Sequence, residues 1–324
     1  MELLKIENLA IEEISKIKRI VVDEINFTLK SGETLGIVGE SGSGKTVTAM
    51  SILKLLSNDL KVSKGKIIFD GEDISTFSEE EMEKIRGNKL SVVFQNPISS
   101  LNPLMKVGKQ ISEVIERHNE ISKEEAKDQV LEILKDVGFE EEAEEIYNRY
   151  PHELSGGQGQ RIGIAMAVAN KPKLIIADEP TTALDKHIQE QILELLKNIQ
   201  KKYNSAIIFI SHDLGIVRRI TDRAVVMYFG QIVEIGETQE IFKNPKHPYT
   251  KGLLDSLPEN FRRGERIKVM KGTIPSINDK IEGCFFSPRC PRATEKCRKE
   301  RIKLEKFEDR IIRCINPLKE VEND

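Results

Sequence analysis

The sequence predicts an α/β fold built around a mostly parallel sheet, on three observations. The apolar runs Leu35-Gly36-Ile37-Val38, Leu174-Ile175-Ile176-Ala177 and Ala206-Ile207-Ile208-Phe209-Ile210 read as strands buried on both faces. Helical patterns follow them: Val47, Met50, Leu53 and Leu56 repeat at helical spacing, and a helical segment around Ile188 to Lys201 separates the last two strands. Between the first strand and its helix lies Gly39-Glu40-Ser41-Gly42-Ser43-Gly44-Lys45-Thr46, which fits G-x-x-x-x-G-K-[ST] at every defined position.

Along the chain, residues 1 to about 75 read as short strands and turns: Leu3-Leu4-Lys5-Ile6-Glu7, Ile25-Asn26-Phe27-Thr28-Leu29, the Leu35 strand, and Gly65-Lys66-Ile67-Ile68-Phe69 closing at Asp70-Gly71. From about Ser78 to Asn170 the pattern is mostly helical, interrupted by the strand Leu90-Ser91-Val92-Val93-Phe94. The stretch from Glu113 to Glu145 is acid-rich, and Val130, Ile133, Leu134 and Val137 give it one apolar face, so its charge reads as a solvated helix surface. Beyond Asn244-Pro245-Lys246-His247-Pro248 the strand-helix rhythm is lost and a tail is expected.

Composition narrows the partners. The 324 residues hold 32% charged residues, no tryptophan and a formal net charge of -3, which offers no basic field for nucleic acid. No run approaches the roughly 20 apolar residues of a membrane span, and Met1-Glu2-Leu3-Leu4-Lys5 leads into no signal-peptide core, so a cytoplasmic chain is expected. The four cysteines, Cys284, Cys290, Cys297 and Cys314, all fall near the C-terminus.

The chemistry starts at the glycine-rich loop. Glycines let the backbone turn several N–H groups toward an anion, and the N-terminus of the following helix favours the same negative charge. Gly39, Ser41, Gly42, Ser43 and Gly44 are therefore candidate phosphate-binding positions, Lys45 the group that reaches the β- and γ-phosphates, and Thr46 a magnesium ligand. This makes the chain a nucleotide- and Mg2+-binding protein in expectation. A second element is Asp178-Glu179 at the end of an apolar strand: Asp178 is placed to hold magnesium, and Glu179 to polarise an attacking water, general-base work of about a hundredfold or more.

With Leu154-Ser155-Gly156-Gly157-Gln158, these two elements resemble the ATP-binding cassette (ABC) family of ATPases. The resemblance implies an α/β core with an antiparallel β subdomain and a helical subdomain over about 78–170, together spanning residues 1–243, plus a small cysteine-containing tail at 244–324. It implies head-to-tail pairing of two cassettes, with Ser155, Gly156, Gly157 and Gln158 reaching the partner's ATP in trans and Asp185, in Thr182-Ala183-Leu184-Asp185, communicating across the pair. By the same resemblance Gln95 touches magnesium and the attacking water, its loop contacts membrane subunits, and His212 contacts the γ-phosphate.

Two positions depart from the family pattern. Glu13 stands where an adenine-stacking aromatic is usual, leaving Phe27 and Tyr228 as aromatics available elsewhere in the cassette. Gly159 stands where a longer side chain is usual, a tolerated cost of roughly 0.5 to 1 kcal/mol relative to alanine in a helix.

The tail resembles that of ATPase subunits of dipeptide and oligopeptide importers, with nickel importers as the alternative. The resemblance rests on Asn244-Pro245-Lys246-His247-Pro248-Tyr249-Thr250, Gly272-Thr273-Ile274-Pro275-Ser276, Gly283-Cys284-Phe285-Phe286-Ser287-Pro288-Arg289-Cys290-Pro291, and Asn96-Pro97-Ile98-Ser99-Ser100-Leu101-Asn102-Pro103 after Gln95. It implies two transmembrane permease subunits, a second cassette ATPase (a different chain favoured, a second copy of this one the alternative), an extracytoplasmic solute-binding protein, and a place on the cytoplasmic face of the membrane. Four thiolates suit zinc or an iron-sulfur cluster. The close Cys-x-x-Cys pairs of structural zinc sites are absent, and some ATPases with this tail carry a [4Fe-4S] cluster, so the cluster is expected and zinc is the alternative. Disulfides are disfavoured in a reducing cytosol. Rival readings are a cassette ATPase acting on chromosomes, DNA repair or ribosomes, and a catalytically silent partner subunit. The first usually needs a long coiled coil or a second cassette, whereas about 110 residues separate the phosphate loop from Ser155 here. The presence of Glu179 and His212 opposes the second.

Overall fold

The computed structural model describes residues 1–15, 19–182, 184–257, 270–276, 279 and 281–319. Ala183 of the Thr182–Asp185 motif and parts of the 244–324 tail lie outside the described residues. The chain forms two compact units: Met1–Leu3, Leu29–Glu33 and Thr76–Ile210 make one, and Leu4–Thr28, Thr34–Ser75 and Ser211–Asp324 the other.

In chain order, β1 (Glu2–Glu13), β2 (Ile20–Lys30), β3 (Thr34–Val38), α1 (Lys45–Ile52), β4 (Leu60–Phe69) and β5 (Glu72–Asp73) come first. β1 and β4 pair antiparallel with Leu4 opposite Phe69 and Ile6 opposite Ile67, in a sheet ordered β2-β1-β4-β5. A bulge breaks their register after Glu7, where Gly65 has φ +96° and a Cβ would lie 2.5 Å from the Leu9 backbone. All five residues of β3 are buried, as the apolar run predicts, and β3 pairs in parallel with β9.

One expectation holds only in part in α1. The repeat Val47, Met50, Leu53 and Leu56 is buried only at Leu53, the C-cap: Val47 and Met50 are half-exposed, Leu56 lies past the helix end, and Thr48, Ala49, Ser51 and Ile52 are buried beside Leu53. The helix begins directly on the glycine loop, so the loop rather than the apolar pattern sets which side faces inward. Small residues fill that side, and the Ser51 hydroxyl satisfies itself on the Thr48 carbonyl at 2.6 Å.

The other unit carries α2 (Glu79–Ile85), β6 (Leu90–Val93), α3 (Pro97–Ser100), α4 (Val107–Glu116), α5 (Lys123–Asp136), α6 (Ala143–Asn148), α7 (Gly156–Val168), β7 (Leu174–Asp178), α8 (Lys186–Tyr203) and β8 (Ala206–Ser211). Its strands are parallel, β6 on β7 and β7 on β8, with Asp178 opposite Ile210. Reciprocal capping boxes start α2 (Ser78 with Glu81) and α5 (Ser122 with Glu125). The apolar face expected on α5 is real: Val130 and Leu134 are fully buried, with Ile133 beside them. Arg161 of α7 ties the helices together, donating to the Val137 carbonyl at 2.6 Å and to Gln191 of α8 at 3.0 Å.

The chain then gives α9 (Leu214–Ile220), β9 (Arg223–Tyr228), β10 (Gln231–Glu237), α10 (Thr238–Lys243), α11 (Pro248–Asp255), α12 (Glu295–Lys299), β11 (Glu305–Phe307) and β12 (Arg310–Ile312). β12 pairs antiparallel with β10 through Glu234 opposite Ile312, so the C-terminal residues extend the sheet beside β9 and β10. Glu234 is fully buried and accepts from the Lys246 and His247 amides at 2.9 and 3.0 Å and from Arg310 at 3.3 Å. Three donors on one carboxylate offset the cost of burying it. The strands of three residues that do this are too short for any period to announce them in the sequence.

Candidate functional site

Ligands of parallel α/β sheets bind beyond the carboxyl ends of the strands, and the phosphate loop and the acid pair each follow such an end. The phosphate loop leaves the end of β3. Gly42 and Gly44 have φ of +77° and +95°, which lets the chain curl so that α1 begins at Lys45. Gly44 is the N-cap and no side chain caps the helix, so the first amides of α1 are not covered by a capping side chain. Lys45 is buried and its ammonium donates to the Gly39 and Glu40 carbonyls at 2.9 and 3.0 Å, bracing the loop. The buried Ser43 hydroxyl has no hydrogen-bond partner among the described residues. An uncapped helix start, an ammonium turned into the loop and an orphaned hydroxyl fit a phosphate chain. Ser41, Gly42 and Thr46 are exposed along the same segment.

A separate group of candidate residues stands at the end of β7. Asp178 is buried as the last residue of the strand, and the next residue, Glu179, has φ +47°, a left-handed backbone that a non-glycine side chain rarely accepts. Its amide donates to the Ile210 carbonyl at 3.0 Å, which holds that conformation. The Thr182 hydroxyl donates to Glu179 Oε2 at 2.9 Å, and Gln95 Nε2 reaches the same oxygen at 3.5 Å, a long contact. Gln95 and Glu179 are thus neighbours. Thr182 was not anticipated as a site residue, although a hydroxyl three residues after a strand-end acid is a readable signal. Asp185 is the N-cap of α8 and accepts from the Ile188 amide at 3.0 Å. His212 follows β8, exposed, between Ser211 and Asp213, whose carboxylate caps α9.

The Ser155 segment starts α7. Ser155 is the N-cap: its hydroxyl accepts from the Gln158 amide at 3.3 Å, and its amide donates to the Gln158 side chain at 3.0 Å. Ser155 and Gly156 are exposed. Gly159 has a packing reason. A Cβ there would lie 2.3 Å from the Ile98 side chain, and one at Gly163 would lie 2.6 Å from Pro97, so α3, just past Gln95, seats itself on the glycines of α7.

The aromatics named for the adenine base are not available. Phe27 is buried, and Tyr228 is 1% exposed in a cluster with Tyr249 and Phe286, its ring centroid 4.6 and 5.2 Å from theirs. Glu13 pairs with Arg19 at 3.4 Å. Burial of Tyr228 follows from its place at the end of a fully inward-facing strand, which its isolated identity as an aromatic does not reveal.

The four cysteines converge on one cavity of about 20 Å3, lined also by His247, Phe286 and Ile302. All four are free thiols. Burial pushes the Cys284 and Cys290 thiols up and Cys314 to about 11, with the neighbouring cysteines adding to it. Burial likewise holds His247 down to about 3, as a neutral ring whose Nδ1 accepts from the Tyr249 amide at 3.1 Å. Among the described residues no three His, Cys, Asp or Glu side chains are gathered closely enough to hold a metal ion. The expected metal site is therefore a cavity ringed by thiols and not a formed ligand set.

A phosphate loop on one strand end, an acid pair on another and a serine-glycine helix start define a nucleotide-hydrolysing cassette. The ABC transporter family model matches residues 22–182, and the model described as the C-terminal region of oligopeptide/dipeptide transporters matches 233–297. The chain is 46% identical over 297 residues to the oligopeptide transport ATP-binding protein AppD of Bacillus subtilis, covering 91% of this chain and 90% of that protein. It is 45% identical over 302 residues to the dipeptide transport ATP-binding protein DppD of Haemophilus influenzae, covering 93% and 91%. Among solved structures, the dimeric ATP-binding cassette MJ0796 with ADP and phosphate is similar at a TM-score of 0.65 and 30% identity, over 73% of this chain and 99% of that one. The chain belongs to the ABC transporter family, as an ATPase subunit with the C-terminal region of oligopeptide/dipeptide transporters. The expected fold class and ATPase activity hold. Among the described residues no helix is long and apolar enough to cross a membrane.

Proposed function

We propose that this ATPase energises the import of dipeptides or oligopeptides. The match of residues 233–297 to the peptide-transporter C-terminal region carries the reading. The names of the two relatives support peptides over nickel. In this reading residues 1–243 are the ATPase, with the helical subdomain at about 78–170, and 244–324 the importer-type extension. Two permease subunits, a second ATPase chain and an external solute-binding protein complete the assembly on the cytoplasmic face of the membrane. Phe94 and Leu104, 40% and 88% exposed beside the Gln95 segment, support an apolar permease contact there.

In the catalytic cycle, Gly39 and Ser41 to Gly44 cradle the phosphates and Lys45 stabilises charge on the γ-phosphoryl group. Thr46, Gln95 and Asp178 would hold Mg2+, which when bound neutralises phosphate charge. Glu179, oriented by Thr182, takes the proton of the attacking water; His212 stabilises the γ-phosphate; Ser155, Gly156, Gly157, Gln158 and Asp185 act on the partner's nucleotide. The left-handed backbone at Glu179 is consistent with strain kept for catalysis. For the cysteine cavity we favour a [4Fe-4S] cluster over zinc. The convergence of Cys284, Cys290, Cys297 and Cys314 on one cavity supports a shared group, and the absence of close Cys-x-x-Cys pairs, usual in structural zinc sites, favours the cluster. Its role is structural or regulatory.

Glu179→Gln in the complex reconstituted with its permease is expected to cut ATP hydrolysis about a hundredfold or more while MgATP binding persists. ATP-driven uptake is expected for peptides and not for nickel. Unchanged hydrolysis would remove Glu179 as the base, and nickel uptake without peptide uptake would overturn the substrate. Iron and sulfide analysis of anaerobically purified protein tests the cluster, with stoichiometric zinc or no metal as the opposing results.

A further inference from the structure

The loop read as the triphosphate site carries a carboxylate, Glu40, and a negative charge on that loop opposes the binding of an anion. The C-terminal segment answers it. Arg289, its side chain 4% exposed, grips Glu40 with two prongs, Nη1 to Oε2 at 2.7 Å and Nη2 to Oε1 at 3.0 Å. The Glu40 amide donates to the Tyr249 hydroxyl at 3.0 Å, so both backbone and side chain of this loop residue are held by residues more than 200 positions away. Arg289 is itself fixed over the Tyr228 and Phe286 rings, at 5.7 and 6.0 Å, and donates weakly to the Lys271 carbonyl at 3.4 Å. It adjoins Cys290, so the segment that carries the thiols also holds the loop.

We infer that Arg289 is a positioning residue for ATP binding: it neutralises and anchors Glu40, so that the phosphate loop meets the triphosphate preformed and without an opposing charge. The two-pronged guanidinium-carboxylate geometry suits this, since it fixes orientation as well as charge. The inference rests on the reading of residues 39–46 as the ATP site.

The test is MgATP affinity of the full-length chain, with thermal stability measured beside it. Arg289→Met, which keeps bulk against Tyr228 and Phe286, is expected to weaken MgATP binding about tenfold, and Arg289→Lys by less, because it keeps the charge and loses the fork. Glu40→Gln added to Arg289→Met is expected to recover most of the loss, which a merely structural role would not allow. Wild-type affinity in Arg289→Met overturns the inference, and so does a loss that Glu40→Gln leaves unrepaired. Absence of MgATP binding in the unaltered chain would instead overturn the ATP-site reading.

Discussion

Two glycine-rich helix starts in this protein are built on opposite principles. At α1 the glycines serve backbone handedness: Gly42 and Gly44 are left-handed, and the N-cap has no side-chain hydrogen bond. At α7 the glycines serve packing: Gly157, Gly159 and Gly163 make room for Ile188, Ile98 and Pro97, and the helix start is closed by its own Ser155–Gln158 box. A helix N-terminus attracts anions only through amides that remain unsatisfied. The α1 start thus has no side chain on its first amides, whereas at α7 one first-turn amide, that of Gln158, is already taken by Ser155.

The largest expected effect separates the two starts by charge. Lys45→Ala should lower ATP turnover about 100- to 1,000-fold, by loss of one preorganised donor, with little change in the melting of the α7 region. Steady-state hydrolysis and hydrogen exchange check it.

Next, Ser155→Asp keeps an N-cap acceptor and so should keep stability, yet it sets a carboxylate where a partner's phosphate would come; hydrolysis in the assembled complex should fall at least about tenfold. Full activity in Ser155→Asp would break the comparison, because α7 would then be a structural cap alone.

Packing follows. Gly159→Ala should destabilise the protein by about 1–3 kcal/mol despite the better helix propensity of alanine, and Ile98→Ala should relieve it in the double variant, as denaturant melts would report. The smallest effect is Ser155→Ala, a loss of about 1 kcal/mol from the missing cap.

Much of the site was legible because its chemistry is local in the chain. The phosphate loop, Asp178-Glu179 and the Ser155 segment each need particular residue types at fixed short spacing, and a strand or helix boundary was readable beside each. Gln95 and His212 entered the candidate site only through the resemblance to the family. The inward face of α1 was legible only at Leu53, because small residues, Thr48, Ala49 and Ser51, fill the rest of it. The burial of Tyr228 and Phe27 was not legible, since an aromatic that could stack on a base and one that fills a core are the same letter.

By itself, then, the sequence determined the α/β class, the nucleotide chemistry and the family, all properties of contiguous segments. Tertiary structure alone decided that Thr182 orients Glu179, that Ile98 fills the space above Gly159, and that Arg289 reaches back to Glu40. The physical reason is that such contacts depend on side-chain direction and burial. Those are set when distant segments pack together, and nothing in the local pattern of either partner records the other.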